Sequence, residues 1–212
     1  MRRIWVCRVP QLTPRRLRPL AHALRDRVLG EVLGEDCRWA PDARGKPQVL
    51  HPGGWHMSLS HSRDAVALML AEQPAGIDIE PRARKARWAA LARRQFHADE
   101  CAQLEAQAAS GFASAALALW TAKEAWAKAS GEGVVGMARA PSLRWQDGRW
   151  ALPAGHADSL QQFLLWDEMV VSVYLMHSAV QALDWVCLSA RAQDGVWCFE
   201  PTLPCPVAEF RA

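Results

Sequence analysis

The sequence predicts an α+β fold built from two similar halves, and three observations carry that reading. Apolar periodicity runs strand, helix, strands in the first part and strand, helices, strands in the second, with a junction near Glu72–Ala75. The chain has 212 residues, half of them apolar and 22% charged, enough for a sizeable core and too apolar for a disordered chain. No apolar run reaches the roughly 18 residues of a membrane-spanning helix. Residue-by-residue similarity between the halves is weak, so the repeat shows in the order of elements alone.

Ile4–Val9 reads as an opening strand. Pro14 then starts a helical pattern with Leu17, Leu20, Leu24, Val28 and Leu29 on one face, and Gly34 ends it. Arg38–Pro52 is rich in turn residues and reads as a loop. Trp55–His61, Ala65–Ala71 and Gly76–Glu80 are strand candidates, each a short apolar or alternating run bounded by turn residues. Arg87–Phe96 and Ala98–Ala108 look helical, and Phe112–Ala129 is a longer Ala- and Leu-rich helix that stops at Gly131. Leu143–Trp145 and Arg149–Leu152 pair across Asp147-Gly148, and Leu164–Trp166 and Val170–Leu175 add two strands. The tail predicts a further hairpin, Trp185–Ala190 with Val196–Glu200, around Asp194-Gly195. The division is therefore 1–75, 76–180 and a 181–212 extension.

Charge is unevenly spread. Residues 1–46 hold 11 basic and 5 acidic side chains, and residues 82–94 hold 6 basic ones and no acid. Between them, residues 47–81 hold 1 basic and 4 acidic side chains. Two basic segments around an acidic one suit a polyanionic ligand such as a phosphate; the plainer reading is a set of solvated faces. An RNA platform would interleave aromatic residues with the cations, and only Trp88 lies in the 82–94 run, so no nucleic-acid partner is expected. The six cysteines form no C-x-x-C pair and no zinc spacing, and read as reduced, packed thiols. The N-terminal apolar stretch of about three residues is too short for a signal peptide, so the expectation is a cytoplasmic protein, monomeric and free of the membrane.

Several catalytic signatures are absent: no G-x-S-x-G elbow, no H-E-x-x-H and no Walker loop. Ser60 and His61 are neighbours on a strand and point to opposite faces, so they form no serine–histidine dyad. Gly131, Gly133 and Gly136 match G-x-G-x-x-G, but a dinucleotide loop follows a strand and opens a helix, whereas this one follows a helix. Gly131 is more simply a helix C-terminal residue.

Four segments carry possible chemistry. In Gly76-Ile77-Asp78-Ile79-Glu80 the isoleucines face a core, and Asp78 and Glu80 share the other face about 7 Å apart. Two carboxylates so close repel, which a hard divalent cation would relieve; the alternative is the wet face of an amphipathic strand. Glu124 and Lys128 stand one turn apart on the long helix, either as functional groups or as a surface i, i+4 pair. Lys123 lies on a different azimuth and reads as solvated. Met57-Ser58-Leu59-Ser60-His61-Ser62 ends in hydroxyls and an imidazole that suit phosphate oxygens, and Arg44-Gly45-Lys46-Pro47 sets two cations in a tight turn.

Gly-Lys-Pro at 45–47, then L-S-H-S, G-I-D-I-E and W-T-x-K-E-x-x-x-K in this order, with F-x-x-x-E from Phe96 to Glu100, resemble the 4′-phosphopantetheinyl transferases, specifically the larger single-chain kind with two halves forming a pseudo-dimer. The resemblance is specific from Arg18 to Gly133 and looser to His177. It implies transfer of the phosphopantetheine arm of coenzyme A to a serine of an acyl or peptidyl carrier protein (fatty-acid, polyketide or nonribosomal-peptide), releasing adenosine 3′,5′-bisphosphate. The enzyme type implied is a holo-[acyl-carrier-protein] synthase. By the same resemblance Asp78, Glu80 and Glu124 are ligands of Mg²⁺ or Mn²⁺, and Lys128 meets the leaving phosphate. Arg18, Arg44, Lys46, Ser60 and His61 are contacts to coenzyme A, and the active site lies in the cleft between the halves. The resemblance leaves open whether Glu124 or a water takes the serine proton. The segment between the opening strand and first helix is shorter than the family's basic stretch, with Arg15 and Arg16 as substitutes. The competing reading is a catalytically silent coenzyme A or nucleotide-binding module, which would lack one of Asp78, Glu124 or Lys128.

Overall fold

The computed structural model describes residues 1–178 and 182–211. Its two main sheets are sandwiched between helices. One sheet has seven strands and contains β1 (Arg2–Arg8), β2 (Arg38–Pro41), β3 (Pro47–Leu50), β4 (His56–Ser62) and β5 (Ala65–Ala71), together with β11 (Asp184–Gln193) and β12 (Val196–Pro201). Its order is β12-β11-β1-β5-β4-β3-β2, antiparallel throughout except that β1 and β11 run parallel. The second sheet is antiparallel, in the order β13 (Val207–Glu209), β9 (Ser159–Leu165), β10 (Met169–Leu175), β6 (Ala75–Pro81). A small hairpin, β7 (Arg144–Gln146) with β8 (Arg149–Ala151), stands apart.

Alternation along the strands decides which faces meet. Ile4, Val6, Ala65, Ala67 and Met69 from the first sheet pack against Ile77, Ile79, Val171 and Val173 from the second, all fully or almost fully buried. The outer face of the first sheet is covered by α1 (Pro14–Leu33), whose Leu17, Leu20, Leu24, Val28 and Leu29 meet Trp5, Met57, Val66 and Leu68. The outer face of the second is covered by α4 (Ala109–Ser130), which is buried nearly all round between Val170 and Tyr174 on one side and Trp88, Leu104 and Trp150 on the other. The flanking α2 (Trp88–Gln95) and α3 (Ala98–Glu105) supply part of that second wall.

The alanines of α4 let it sit unusually close to β6. A Cβ placed on Gly76 would lie 1.9 Å from the Ala125 carbonyl oxygen and 2.6 Å from the Ala129 amide nitrogen, so no side chain fits. Gly131 ends α4 with a left-handed φ of 77° and donates its N–H to the Ala127 carbonyl, which makes the G-x-G-x-x-G match a helix stop.

Four features differ from the sequence expectations. The 38–52 loop contains β2 and β3, short half-exposed strands whose prolines, Pro41 opposite Pro47, masked the pairing; the Asp42 carboxylate closes their turn by accepting from the Arg44 and Lys46 amides at 2.8 and 2.9 Å. β9 begins at Ser159 rather than Leu164, because Gln162 breaks the apolar pattern yet is buried, bonded to the Trp150 amide, the Ala118 carbonyl and the Ser172 hydroxyl. The tail hairpin does not stand alone: β11 joins the first sheet and β13 the second. The boundary drawn at 180/181 lies outside the described residues.

The fourth difference is Lys123, which is 1% exposed rather than solvated. Its ammonium meets Glu100 at 2.8 Å and donates to the Pro141 carbonyl at 3.0 Å. Glu100 is fully buried and accepts from the His97 and Leu143 amides at 2.9 and 2.7 Å, so every charge in the pair is compensated. Burial pulls the Lys123 pKa below the ordinary lysine value, against the pull of Glu100.

Two stability predictions follow from this packing. Gly76→Ala should lower stability by more than about 2 kcal/mol, because backbone atoms of α4 must move to admit the methyl. Thermal unfolding would then fall by several degrees; an unchanged midpoint would contradict the close approach. Lys123→Met, which strands the Glu100 charge, should cost about 3–5 kcal/mol, with Lys123→Met/Glu100→Gln recovering part of the loss in chemical denaturation.

Candidate active site

Three elements bring the predicted residues together. β6 carries Asp78 and Glu80, α4 carries Glu124 and Lys128, and β4 carries Ser60 and His61. These six, with Leu59, Arg84 and Trp120, line a cavity of about 360 Å³. A second cavity of about 260 Å³ shares Leu59 and Lys128 with it and is lined further by Arg44, Lys46, Pro47, Met57, Ser58 and Ala127. Arg18 lines neither; it is exposed on α1, where its charge acts on His61.

Where β6 faces β4, serine hydroxyls take the place of a neighbouring strand. The Ile77 amide donates to Ser58 Oγ at 3.0 Å, and the Ile79 amide to Ser60 Oγ at 3.3 Å. Ser62 Oγ donates to Glu80 Oε2 at 2.6 Å. Ser60 is fully engaged: besides Ile79 it accepts from Lys128 Nζ at 2.9 Å and donates to Asp78 Oδ1 at 2.8 Å. The alternate serines of β4 thus hold the acidic strand in register.

The helical Glu124–Lys128 pair does not form. Lys128 turns to Asp78 Oδ1 at 2.7 Å, and Arg84 pairs with Glu80. Asp78 Oδ2 is buried without a hydrogen-bond partner, and no hydrogen bond or ion pair reaches Glu124 among the described residues. Burial, then the charge of Asp78, pushes the Glu124 pKa up to about 7, with Glu80 adding to the rise and Lys128 and Arg84 opposing it. Burial also raises the Glu80 pKa, and burial lowers that of His61, with Lys128 and Arg18 adding to the drop.

The orphaned Asp78 oxygen and the Glu124 carboxylate beside it are hard oxygen donors, the kind that Mg²⁺ and Mn²⁺ prefer. The donor chemistry therefore fits Mg²⁺ or Mn²⁺. Among the described residues, however, no three His, Cys, Asp or Glu side chains form a group that could hold an ion together.

The two basic-turn residues already have protein partners. Lys46 Nζ donates to the Ala129 carbonyl at the end of α4 at 2.5 Å, with its stem against Gly131, and Arg44 pairs with Glu132 at 3.1 Å. Of the cations suggested to replace the short N-terminal stretch, Arg16 stacks on Trp197 of β12, 5.0 Å from the ring centroid. Sequence reasoning missed Arg84 and the cavity-lining role of Trp120. The cation-rich 82–94 run was the one available signal for Arg84, and nothing in the sequence separated it from its neighbours.

Fold and cavity together define an α+β protein with carboxylates and an ammonium facing one cleft between strand and helix. Residues 74–174 match the model of the 4′-phosphopantetheinyl transferase superfamily. A 4′-phosphopantetheinyl transferase, psf-1, of Bacillus pumilus is 36% identical over 122 residues, 52% of this chain and 52% of that protein. The transferase AcpT of Salmonella typhimurium is 35% identical over 89 residues, 42% of this chain and 46% of its own length. The transferase gsp of Aneurinibacillus migulanus is 34% identical over 103 residues, 49% and 42%. The aligned part thus spans about half the length of these relatives. The similarity to the 4′-phosphopantetheinyl transferase superfamily thus covers residues 74–174, and that segment contains Asp78, Glu80, Glu124 and Lys128.

The Glu124 environment makes a pH prediction for the metal-free protein. With a native pKa raised from 4.5 to about 7, folded protein holds a proton that unfolded protein has lost between those values. Stability should therefore fall as pH rises through that window, with the full penalty present above it. Glu124→Gln lacks this penalty, so its stability relative to the parent should rise from pH 5 to pH 8 in urea titrations with chelator. A difference independent of pH would remove the raised pKa.

Proposed function

We propose that the protein transfers the 4′-phosphopantetheine arm of coenzyme A to a serine of an acyl or peptidyl carrier protein and releases adenosine 3′,5′-bisphosphate. The observation that carries this reading is the meeting of Asp78, Glu124 and Lys128 in one cleft, with a buried carboxylate oxygen left open beside an ammonium. Phosphoryl transfer is mainly positioning and charge neutralisation, and these groups suffice for both.

In this reading acidic residues among Asp78, Glu80 and Glu124 hold Mg²⁺ or Mn²⁺, which when bound supplies positive charge to the pyrophosphate. Lys128, anchored by Ser60 and Asp78, keeps one donor free for the departing phosphate oxygen. Glu124, facing the same cavity, would accept the serine proton directly or through a water as the serine oxygen–phosphorus bond forms and the bond to the bisphosphate breaks. The second cavity, with apolar Met57, Leu59 and Pro47 beside Arg44 and Lys46, suits the arm and phosphates of coenzyme A. His61 and Arg18 extend that positive side; Ser60 acts through Lys128 and Asp78.

The architecture is read as a pseudo-dimer of 1–75 and 76–180, with 181–212 as an extension. In support, β1, α1 and the β4–β5 hairpin occur in the same order as β6, α4 and the β9–β10 hairpin, and the first strand of each set pairs antiparallel with the last. An acidic carrier surface is favoured by Arg82, Lys85, Arg87, Arg93 and Arg94, all exposed and unpaired among the described residues near Trp120. We read the protein as a cytoplasmic monomer of the holo-[acyl-carrier-protein] synthase type; no helix among the described residues is long and apolar enough to cross a membrane.

Incubation with coenzyme A, Mg²⁺ and a panel of carrier proteins should add one phosphopantetheine mass to at least one carrier, and chelator should abolish it. Binding of coenzyme A with no mass gain on any carrier would favour the silent module. Lys128→Ala should lower turnover by at least about 100-fold in protein that circular dichroism shows to be folded at the assay temperature. Near-normal turnover at saturating substrates would leave Lys128 a structural partner of Asp78.

A further inference from the structure

Cys187 and Cys205 meet where the tail crosses from the first sheet to the second. Cys187 stands on β11 opposite Val6, with its side chain in the apolar layer between the sheets. The chain leaves β12 at Pro201 and donates the Thr202 amide to the Cys187 carbonyl at 2.8 Å. It then brings Cys205 against the same apolar layer before β13 begins. The Cys205 thiol hydrogen-bonds to the Cys187 sulfur, which also accepts from the Thr202 hydroxyl, the Leu188 amide and the Trp166 indole. These donors, Cys205 foremost, hold the Cys187 thiol below its ordinary range against the effect of burial. Both cysteines are free.

The other thiols are placed elsewhere. Cys7 pairs with Leu188 and faces α1 on the opposite side of the sheet, where burial, then the charge of Cys187, pushes its thiol up to about 12. Cys198 pairs with Arg191, roughly 13 Å along β11 from Cys187. Cys37 follows α1 and Cys101 lies on α3.

We propose that Cys187 and Cys205 are a peroxide-sensitive pair that closes to an intramolecular disulfide and fastens the tail across both sheets. The Cys187 thiolate attacks one oxygen of hydrogen peroxide, the O–O bond breaks, and a first water departs to leave a sulfenic acid on Cys187. The Cys205 sulfur then attacks that sulfur, and the hydroxyl leaves with the Cys205 proton as a second water while the S–S bond forms. Two thiols lose two electrons, and one peroxide is reduced to two waters. Cys187 is 6% exposed and Cys205 only partly exposed, an opening suited to an oxidant about the size of water rather than to a bulky disulfide. The bond joins β11 to the segment that feeds β13, beyond which Phe210 is fully buried against the cluster around α4. No part of the proposal rests on the transferase reading.

The test is peptide mapping of the full chain by mass spectrometry after brief exposure to hydrogen peroxide and blocking of the remaining thiols. The expected product is one cross-linked peptide pair joining Cys187 to Cys205, lighter by two hydrogens and reversed by dithiothreitol. Its thermal midpoint should lie several degrees above that of the reduced protein, because the bond closes the loop that contains β12. Cys205→Ser should form no disulfide and should leave a sulfenic acid at position 187 that dimedone captures. Cys205→Ala supplies the same control should the serine variant fail to fold. A major product that joins other cysteines, a parent whose two thiols stay unbridged or pass to sulfinic acid, or a midpoint that the bond does not move overturns the proposal.

Discussion

The site depends on how closely α4 lies against β6. Gly76 has no Cβ, and the facing turns of α4 present alanines, so strand and helix approach until backbone meets backbone. That separation is set by packing rather than by charge. It brings an ammonium at position 128 to 2.7 Å from a carboxylate at position 78, two groups fifty residues apart in the chain. A side chain at position 76 would push the helix outward, and each polar contact across the cleft would lengthen beyond useful hydrogen-bond range.

Bringing three carboxylates to one partly buried cleft is costly unless cations accompany them. Lys128 and Arg84 fill that role for Asp78 and Glu80, while Glu124 has no such partner and responds by holding its proton more tightly. The serines of β4 compensate in a different way. Their hydroxyls satisfy the edge amides of β6, which would otherwise be buried unpaired, and in the same stroke fix the carboxylates. One row of alternate small polar residues therefore closes a sheet edge and orients a reactive strand.

The sequence was most readable where periodicity and packing agree. The apolar stripe of α1, the all-buried β5 and the isoleucines of β6 each declare their faces, because one period places every apolar residue on a common side. Legibility failed where burial is polar. Gln162 hid the start of β9, and Lys123 looked solvated because its partner Glu100 lies on another helix, invisible to any local pattern. The acidic and basic members of the site were legible as residue types at suggestive spacings. Their pairing was not: i, i+4 spacing pointed Lys128 at Glu124, whereas the shorter path across the cleft leads to Asp78. Arg84 was lost among neighbouring cations for the same reason, since only the two indoles and Glu80 distinguish it.

The buried Lys123–Glu100 pair completes the logic of the long helix. Successive residues on an α-helix point about 100° apart, so a group held at position 123 fixes where position 124 looks. Lys123 is anchored toward α3, and Leu143 and His97 amides hold Glu100 in turn. On the other side Lys128 is tied to β4 and β6. A helix so tied on two faces cannot rotate by one residue without stranding a charge, which is far costlier than losing apolar contacts that a slippery alanine face would let it re-form. Alanine packing gives α4 its closeness to β6, and the two ion pairs give it its azimuth; Glu124 faces the cavity only because both conditions hold at once.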